Sequence, residues 1–179
     1  GVTITQSGGS TDVTEGGATD TYTVVLNSQP TASVTITVTG DAQASAAPAS
    51  LTFTTANWNT AQAVTVTAAN DAIAEGAHTG TITHSASGGG YNGVPIANVT
   101  ANITDNDTAG VTITQSGGST DVTEGGATDT YTVVLNSQPT ASVTITVTGD
   151  AQASAAPGTL TFTTANWNTA QTITVTAVN

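Results

Sequence analysis

Eight carboxylates punctuate the first 109 residues: Asp12, Glu15, Asp20, Asp41, Asp71, Glu75, Asp105 and Asp107. The whole chain of 179 residues holds twelve acids and no Lys or Arg, for a net charge of −12 at pH 7. Carboxylates brought together with no basic side chain nearby repel one another. The chemistry open to them is capture of a hard divalent cation. Ca²⁺ takes roughly six to eight oxygen ligands in flexible geometry, whereas Mg²⁺ keeps more of its waters. Glu15, Asp41, Asp71, Glu75, Asp105 and Asp107 offer six carboxylates, and Asn106 adds a further oxygen. No catalytic triad, phosphate loop or glycosidase carboxylate pair is visible, so the chain does not read as an enzyme.

The elements that position these acids follow from alternation. Val34-Thr35-Ile36-Thr37-Val38-Thr39 is apolar and polar in strict turn, as are Leu51-Thr52-Phe53-Thr54 and Val64-Thr65-Val66-Thr67. Period 2 with β-branched residues predicts strands buried on one face. Seven antiparallel strands are expected at 2–6, 20–27, 33–39, 50–54, 62–69, 79–86 and 96–104, separated by Gly, Asn, Asp, Ser and Pro. Seven short strands in about 100 residues predict an all-β sandwich.

The sequence then starts again. Residues 110–179 align with 1–70 without a gap and differ at five positions, so 65 of 70 are identical. A unit of this length is a domain rather than a solenoid turn. The expected organisation is one repeat over 1–109 and a second over 110–179 that stops after its fifth strand. The absence of Met and the broken second copy suggest a window on a longer array. In the rival reading, a neighbouring subunit supplies the missing strands.

Strands that alternate in direction sort their loops into two poles. In the first repeat all eight acids fall in or beside the loops of one pole, and the opposite loops carry none. The second copy retains only Glu124 and Asp150 of the candidate ligands, a partial site. Asp12 and Asp20 are expected to be turn or strand-edge residues.

The residues together resemble a known family. Val13-Thr14-Glu15-Gly16-Gly17, Gly40-Asp41, Asn70-Asp71-Ala72-Ile73-Ala74-Glu75-Gly76 and Asp105-Asn106-Asp107 are similar to the Calx-beta module. That module is named for sodium–calcium exchangers and recurs in bacterial surface proteins. The resemblance implies a seven-stranded immunoglobulin-like sandwich binding Ca²⁺ at its C-terminal pole. It puts Glu15, Asp41, Asp71, Glu75, Asp105 and Asp107 in ligand positions. Asn106 stands where the exchanger modules carry a third consecutive Asp.

Other features narrow the role. The absence of Cys rules out disulfides and thiolate zinc sites, and zinc is disfavoured without a clustered His pair. His78 and His84 are expected at a surface or edge, too far apart to share a metal. The acidity repels nucleic acid, and no apolar run is long enough to span a membrane. Trp58 and Tyr91 fall in loops of the acid-free pole, where Trp58 is expected to cover the core. The implied function is a structural Ca²⁺-binding repeat of an extracellular or cell-surface filament or adhesin stalk. Its partners are neighbouring repeats of the same chain and, in a filament, like chains. The alternatives are a carbohydrate- or surface-binding adhesive module, or accessory repeats of a larger extracellular enzyme.

Overall fold

The computed structural model describes all of residues 1–179. They form two compact units, one of Gly1–Asp71 with Glu75–Asn106 and one of Ala72–Ala74 with Asp107–Asn179. Both are built of β-strands, and no helix is long and apolar enough to cross a membrane.

The first unit contains β1 (Val2–Gln6), β2 (Thr11–Thr14), β3 (Asp20–Leu26), β4 (Val34–Thr39) and β5 (Ala44–Ala47). It continues with β6 (Ser50–Phe53), β7 (Gln62–Ala68), β8 (His78–Ser87) and β9 (Val99–Thr104). One sheet runs β1-β3-β7-β5 and the other β2-β9-β8-β4-β6. The sandwich is as expected, but it has nine strands where the sequence pattern predicts seven. β2 pairs in parallel with β9, Thr11 opposite Ala101, so nothing near β2 in the sequence announces it. β5 is an Ala-Ser-Ala-Ala segment, and Ala is depleted in strands. It pairs with β7 while its neighbours β4 and β6 pair with each other in the second sheet.

Alternation places the core. Val34, Ile36 and Val38 are buried from β4, Val64 and Val66 from β7, and Leu51 and Phe53 from β6. Tyr22, Val24, Leu26, Ile82, Val99 and Ile103 complete the interior, while the Thr residues between them face outward or lie half-covered. Burying these side chains from both sheets is the main stabilising term, at about 25 cal/mol per Å² of apolar surface removed from water.

The pairing of the second sheet gathers the acids. β9 runs parallel to β2 and antiparallel to β8, and β8 runs antiparallel to β4. The ends of β2, β4 and β9 and the start of β8 therefore share one edge of the sandwich. Glu15 follows β2, Asp41 follows β4, Asp105 follows β9, and Glu75 precedes β8.

The second unit carries β10 (Val111–Gln115), β11 (Asp129–Leu135), β12 (Val143–Thr146), β13 (Ala153–Ala156), β14 (Thr159–Phe162) and β15 (Gln171–Ala177). Its sheets are β10-β11-β15-β13 and β12-β14. Val111 faces Leu135 just as Val2 faces Leu26, so the near-identical sequence reproduces the same register. Its core is smaller: Val133, Leu135, Leu160, Phe162 and Ile173. With no counterparts of β8 and β9 among these residues, Ile113 is 62% exposed.

Candidate metal centre

Glu15 occupies its place because the β2 alternation continues one step beyond the strand. Thr11 and Val13 are buried, Asp12 between them is exposed, and Glu15 again points inward. Its N–H donates to the Thr104 carbonyl at 3.0 Å, prolonging the ladder with β9. The chain then reverses at Gly16, where φ is +60°. A side chain there would also meet Asn70 Oδ1 at 2.8 Å, because Asn106 Nδ2 donates to that oxygen across the turn. The outcome is a carboxylate 1% exposed, neither of whose oxygens has a hydrogen-bond partner.

A buried, unpaired carboxylate is costly unless a cation meets it. Burial pushes the Glu15 carboxyl above its ordinary value. The Asp71 backbone amide faces it and partly offsets this without reaching hydrogen-bond geometry, and the Asp105 and Asp71 charges push it higher.

Donor atoms converge on Glu15. Glu15, Glu75 and His78 bring two oxygens and a ring nitrogen to within 4.8 Å of one another. Asp105 adds its negative charge beside them. His78 opens β8, and its Nε2 stands 3.5 Å from Glu15 Oε1 and 3.5 Å from Glu75 Oε2. Its Nδ1 donates to the Gly76 carbonyl at 2.9 Å. The Gly76 carbonyl and the Glu75, Glu15 and Asp105 charges outweigh burial and hold the imidazole above its ordinary value. Gly76 N–H in turn donates to Asp105 Oδ2 at 2.6 Å, tying the loop before β8 to the exit of β9.

Asp41 lies at the same edge but is engaged otherwise. Its Oδ1 accepts from the amides of Gln43 at 2.9 Å and Ala44 at 3.0 Å, and its Oδ2 accepts from Thr81 at 2.7 Å. Burial works against it, yet these amides hold the carboxyl below its ordinary value. Asp41 lies outside the converging set, and so does Asp71, although the Asp71 backbone and charge both act on Glu15. Asn106 is bonded to Asn70. Asp12 lies on β2 and Asp20 opens β3, and both are spent on hydrogen bonds there: Asp12 accepts from Ser10 and Asn102, and Asp20 accepts from the amides of Asp12 and Thr21. In the second unit Asp150 repeats the Asp41 turn with Gln152 and Ala153, and Glu124 is exposed, so no converging set forms there.

Both histidines depart from the surface reading. His78 joins the acidic edge, and His84 meets the core residue Tyr22. Neither position shows in apolar periodicity, because His78 follows a loop and His84 alternates with Thr and Ser. On the acid-free side Trp58 packs against the core as expected. Tyr91 is 4% exposed, with its hydroxyl donating to the Ser28 carbonyl at 2.7 Å. Trp58 itself is half-buried.

No family model and no curated protein matches this chain. Solved structures similar to it include the calcium-binding domain CBD12 of CALX1.1, at 20% identity and a TM-score of 0.43, over 99% of this chain and 76% of that one. CBD12 from CALX1.2 is similar at 17% identity and 0.42, over 98% and 75%. The D00-D0 domain of Intimin is similar at 16% identity and 0.35, over 97% and 86%. Likeness at this level leaves the fold to rest on the strand pairing itself, and it carries nothing about the site.

Proposed function

We propose that this chain is a structural Ca²⁺-binding sandwich repeat of an extracellular surface protein, filament or adhesin stalk. The observation that carries the reading is Glu15: fully buried, without a hydrogen-bond partner, and set beside the Asp105 charge. Oxygen donors from carboxylates and loop carbonyls are the set Ca²⁺ prefers. Glu15 and Asp105 would hold the ion, with Asp71 and Glu75 supplying charge around it. The ion offsets their repulsion, and its binding free energy adds to folding stability.

Asp105 follows β9 at the end of the first unit. An ion holding it to the Glu15 turn would fix the end of β9 against the end of β2. A surface setting suits this role, because Ca²⁺ sites of extracellular modules work at the weak, millimolar end of the affinity range.

The test is thermal unfolding in chelator and in millimolar Ca²⁺. At a hundredfold excess over Kd the ligand adds about 2.7 kcal/mol. Asp105→Asn, which keeps an acceptor for the Gly76 amide, should remove most of that gain. Superimposable melting curves for the wild-type chain would overturn the reading.

A further inference from the structure

We propose that His78, Glu15 and Glu75 form a second metal site, selective for a first-row transition cation of the Zn²⁺ type. It is independent of the Ca²⁺ reading, although the two share Glu15.

The geometry is that of a coordination polyhedron rather than of hydrogen bonds. Nε2 lies 3.5 Å from an oxygen of each Glu, beyond hydrogen-bonding distance for nitrogen and oxygen. Ligands bound tetrahedrally at about 2.1 Å stand about 3.4 Å apart, which matches both separations. Glu15 is the independent sign of a ligand. It is 1% exposed, and both its oxygens and His78 Nε2 are buried with no hydrogen-bond partner.

The imidazole is also oriented for the task. Nδ1 donates to the Gly76 carbonyl at 2.9 Å, so in the neutral ring Nε2 carries the lone pair and faces the two carboxylates. In the neutral ring that lone pair and two negative oxygens confront one another, a repulsion that either a proton or a bound metal ion relieves. Metal-bound histidines characteristically donate their other ring N–H to a backbone carbonyl or carboxylate, which fixes tautomer and angle. Nitrogen in the donor set also selects the ion. Ca²⁺ and Mg²⁺ take oxygen, whereas imidazole suits zinc, copper, iron and nickel. Three protein donors leave a fourth position for water. The expectation from sequence that zinc is disfavoured assumed it would need Cys or two histidines; the fold instead supplies one His and two Glu.

The chain makes this testable, because it has two histidines and no cysteine. His84 is engaged on both ring nitrogens, by Tyr22 and by Ala97. Tag-free full chain, with and without millimolar Ca²⁺, is titrated with Co²⁺ and then Zn²⁺. The expected result is the intense visible absorption of four-coordinate Co²⁺, abolished by Zn²⁺, with the His78 ring resonances shifted and those of His84 unmoved. His78→Ala and His78→Gln should each weaken Zn²⁺ binding about 100-fold or more, since even losing an outer-shell partner costs 10- to 100-fold. Both should keep the Ca²⁺ shift in melting temperature. A weak six-coordinate Co²⁺ spectrum, shifts confined to His84, or unchanged Zn²⁺ affinity in both variants would overturn the proposal. Zn²⁺ bound at His78 with no Ca²⁺ shift would sink the calcium reading and leave this one standing.

Discussion

Tyr22 and His84 meet across the interior of the sandwich, the phenol oxygen 2.6 Å from Nε2 and the rings edge to face at 89°. Tyr22 lies on β3 in one sheet and His84 on β8 in the other. His84 Nδ1 is 3.0 Å from the Ala97 carbonyl, which can only accept. The ring is thus the neutral Nδ1–H tautomer, and Tyr22 donates to Nε2. Burial pushes the Tyr22 phenol up and the His84 imidazole down, so both stay uncharged.

This bond sets a pH dependence. In the unfolded chain His84 protonates near its ordinary value of 6.5, whereas in the fold it resists the proton. Below about that pH the unfolded state binds more protons, so the His84 contribution is complete above 6.5 and is lost as pH falls. The measurement is the wild-type minus His84→Gln difference in unfolding free energy from pH 8 to 5, in which other titrations largely cancel. Tyr22→Phe should cost about 1–3 kcal/mol at pH 8, because it leaves Nε2 buried and unpaired. A flat difference curve would refute the assignment.

Glu15→Gln should change sign with the ion. In chelator the variant loses a buried charge and its repulsion from Asp105 and Asp71, and should be more stable than wild type by about 1–3 kcal/mol. In millimolar Ca²⁺ it should be the less stable of the two. Because burial raises the Glu15 carboxyl above 4.5, the ion-free fold binds the proton first. Its contribution is therefore fully present below pH 4.5 and lost as pH rises through the raised value. Denaturant unfolding with and without chelator reads both effects.

Asp41→Ala should destabilise equally with and without Ca²⁺. Its two oxygens serve three backbone amides, and their loss should cost about 2 kcal/mol, comparable to a strong helix cap. A variant with normal stability in chelator and no Ca²⁺ response would instead make Asp41 a ligand.

Gly40→Ala and Gly76→Ala separate two reasons for glycine at this edge. A Cβ on Gly40 would sit 2.0 Å from the Ala44 carbonyl oxygen, so the turn into β5 must open; about 1–3 kcal/mol should be lost. Gly76 has open space but a φ of +70°, and its replacement should cost about 1–2 kcal/mol through backbone conformation alone. Melting temperatures of the two variants, with Gly76→Asn as a partial rescue, provide the check.

The sandwich was legible in the sequence because burial on one face writes itself as alternation, as in Val34 to Thr39. The gathering of Glu15, Asp41, Asp105 and Glu75 at one edge was legible too, since it needs only strand direction. It survives the two extra strands because β2 and β9 run the same way. What each carboxylate does there was not legible. Asp41 and Glu15 are alike in sequence terms, yet one spends its oxygens on amides and the other has none to bond. The step that decides this, from Thr11 through Val13 to Glu15, extends the alternation of a strand whose partner lies 90 residues away. The role of His78 was hidden in part for the same reason: Glu15 and Asp105 reach it from the β2 and β9 ends, while Glu75 and Gly76 are its neighbours in sequence.

The parallel pairing of β2 with β9 has a mechanical consequence. β9 is the last strand of the first unit and β2 follows β1 near its start; four residue pairs join them, Thr11–Ala101 through Thr14–Thr104. Once β1 is stripped from β3, a pull on the chain through Gly1 and Asn106 drags β2 toward its beginning and β9 toward its end. The bonds between them are then loaded side by side, in shear, and must yield together. An antiparallel terminal pair pulled from adjacent ends would open one bond at a time, like a zip.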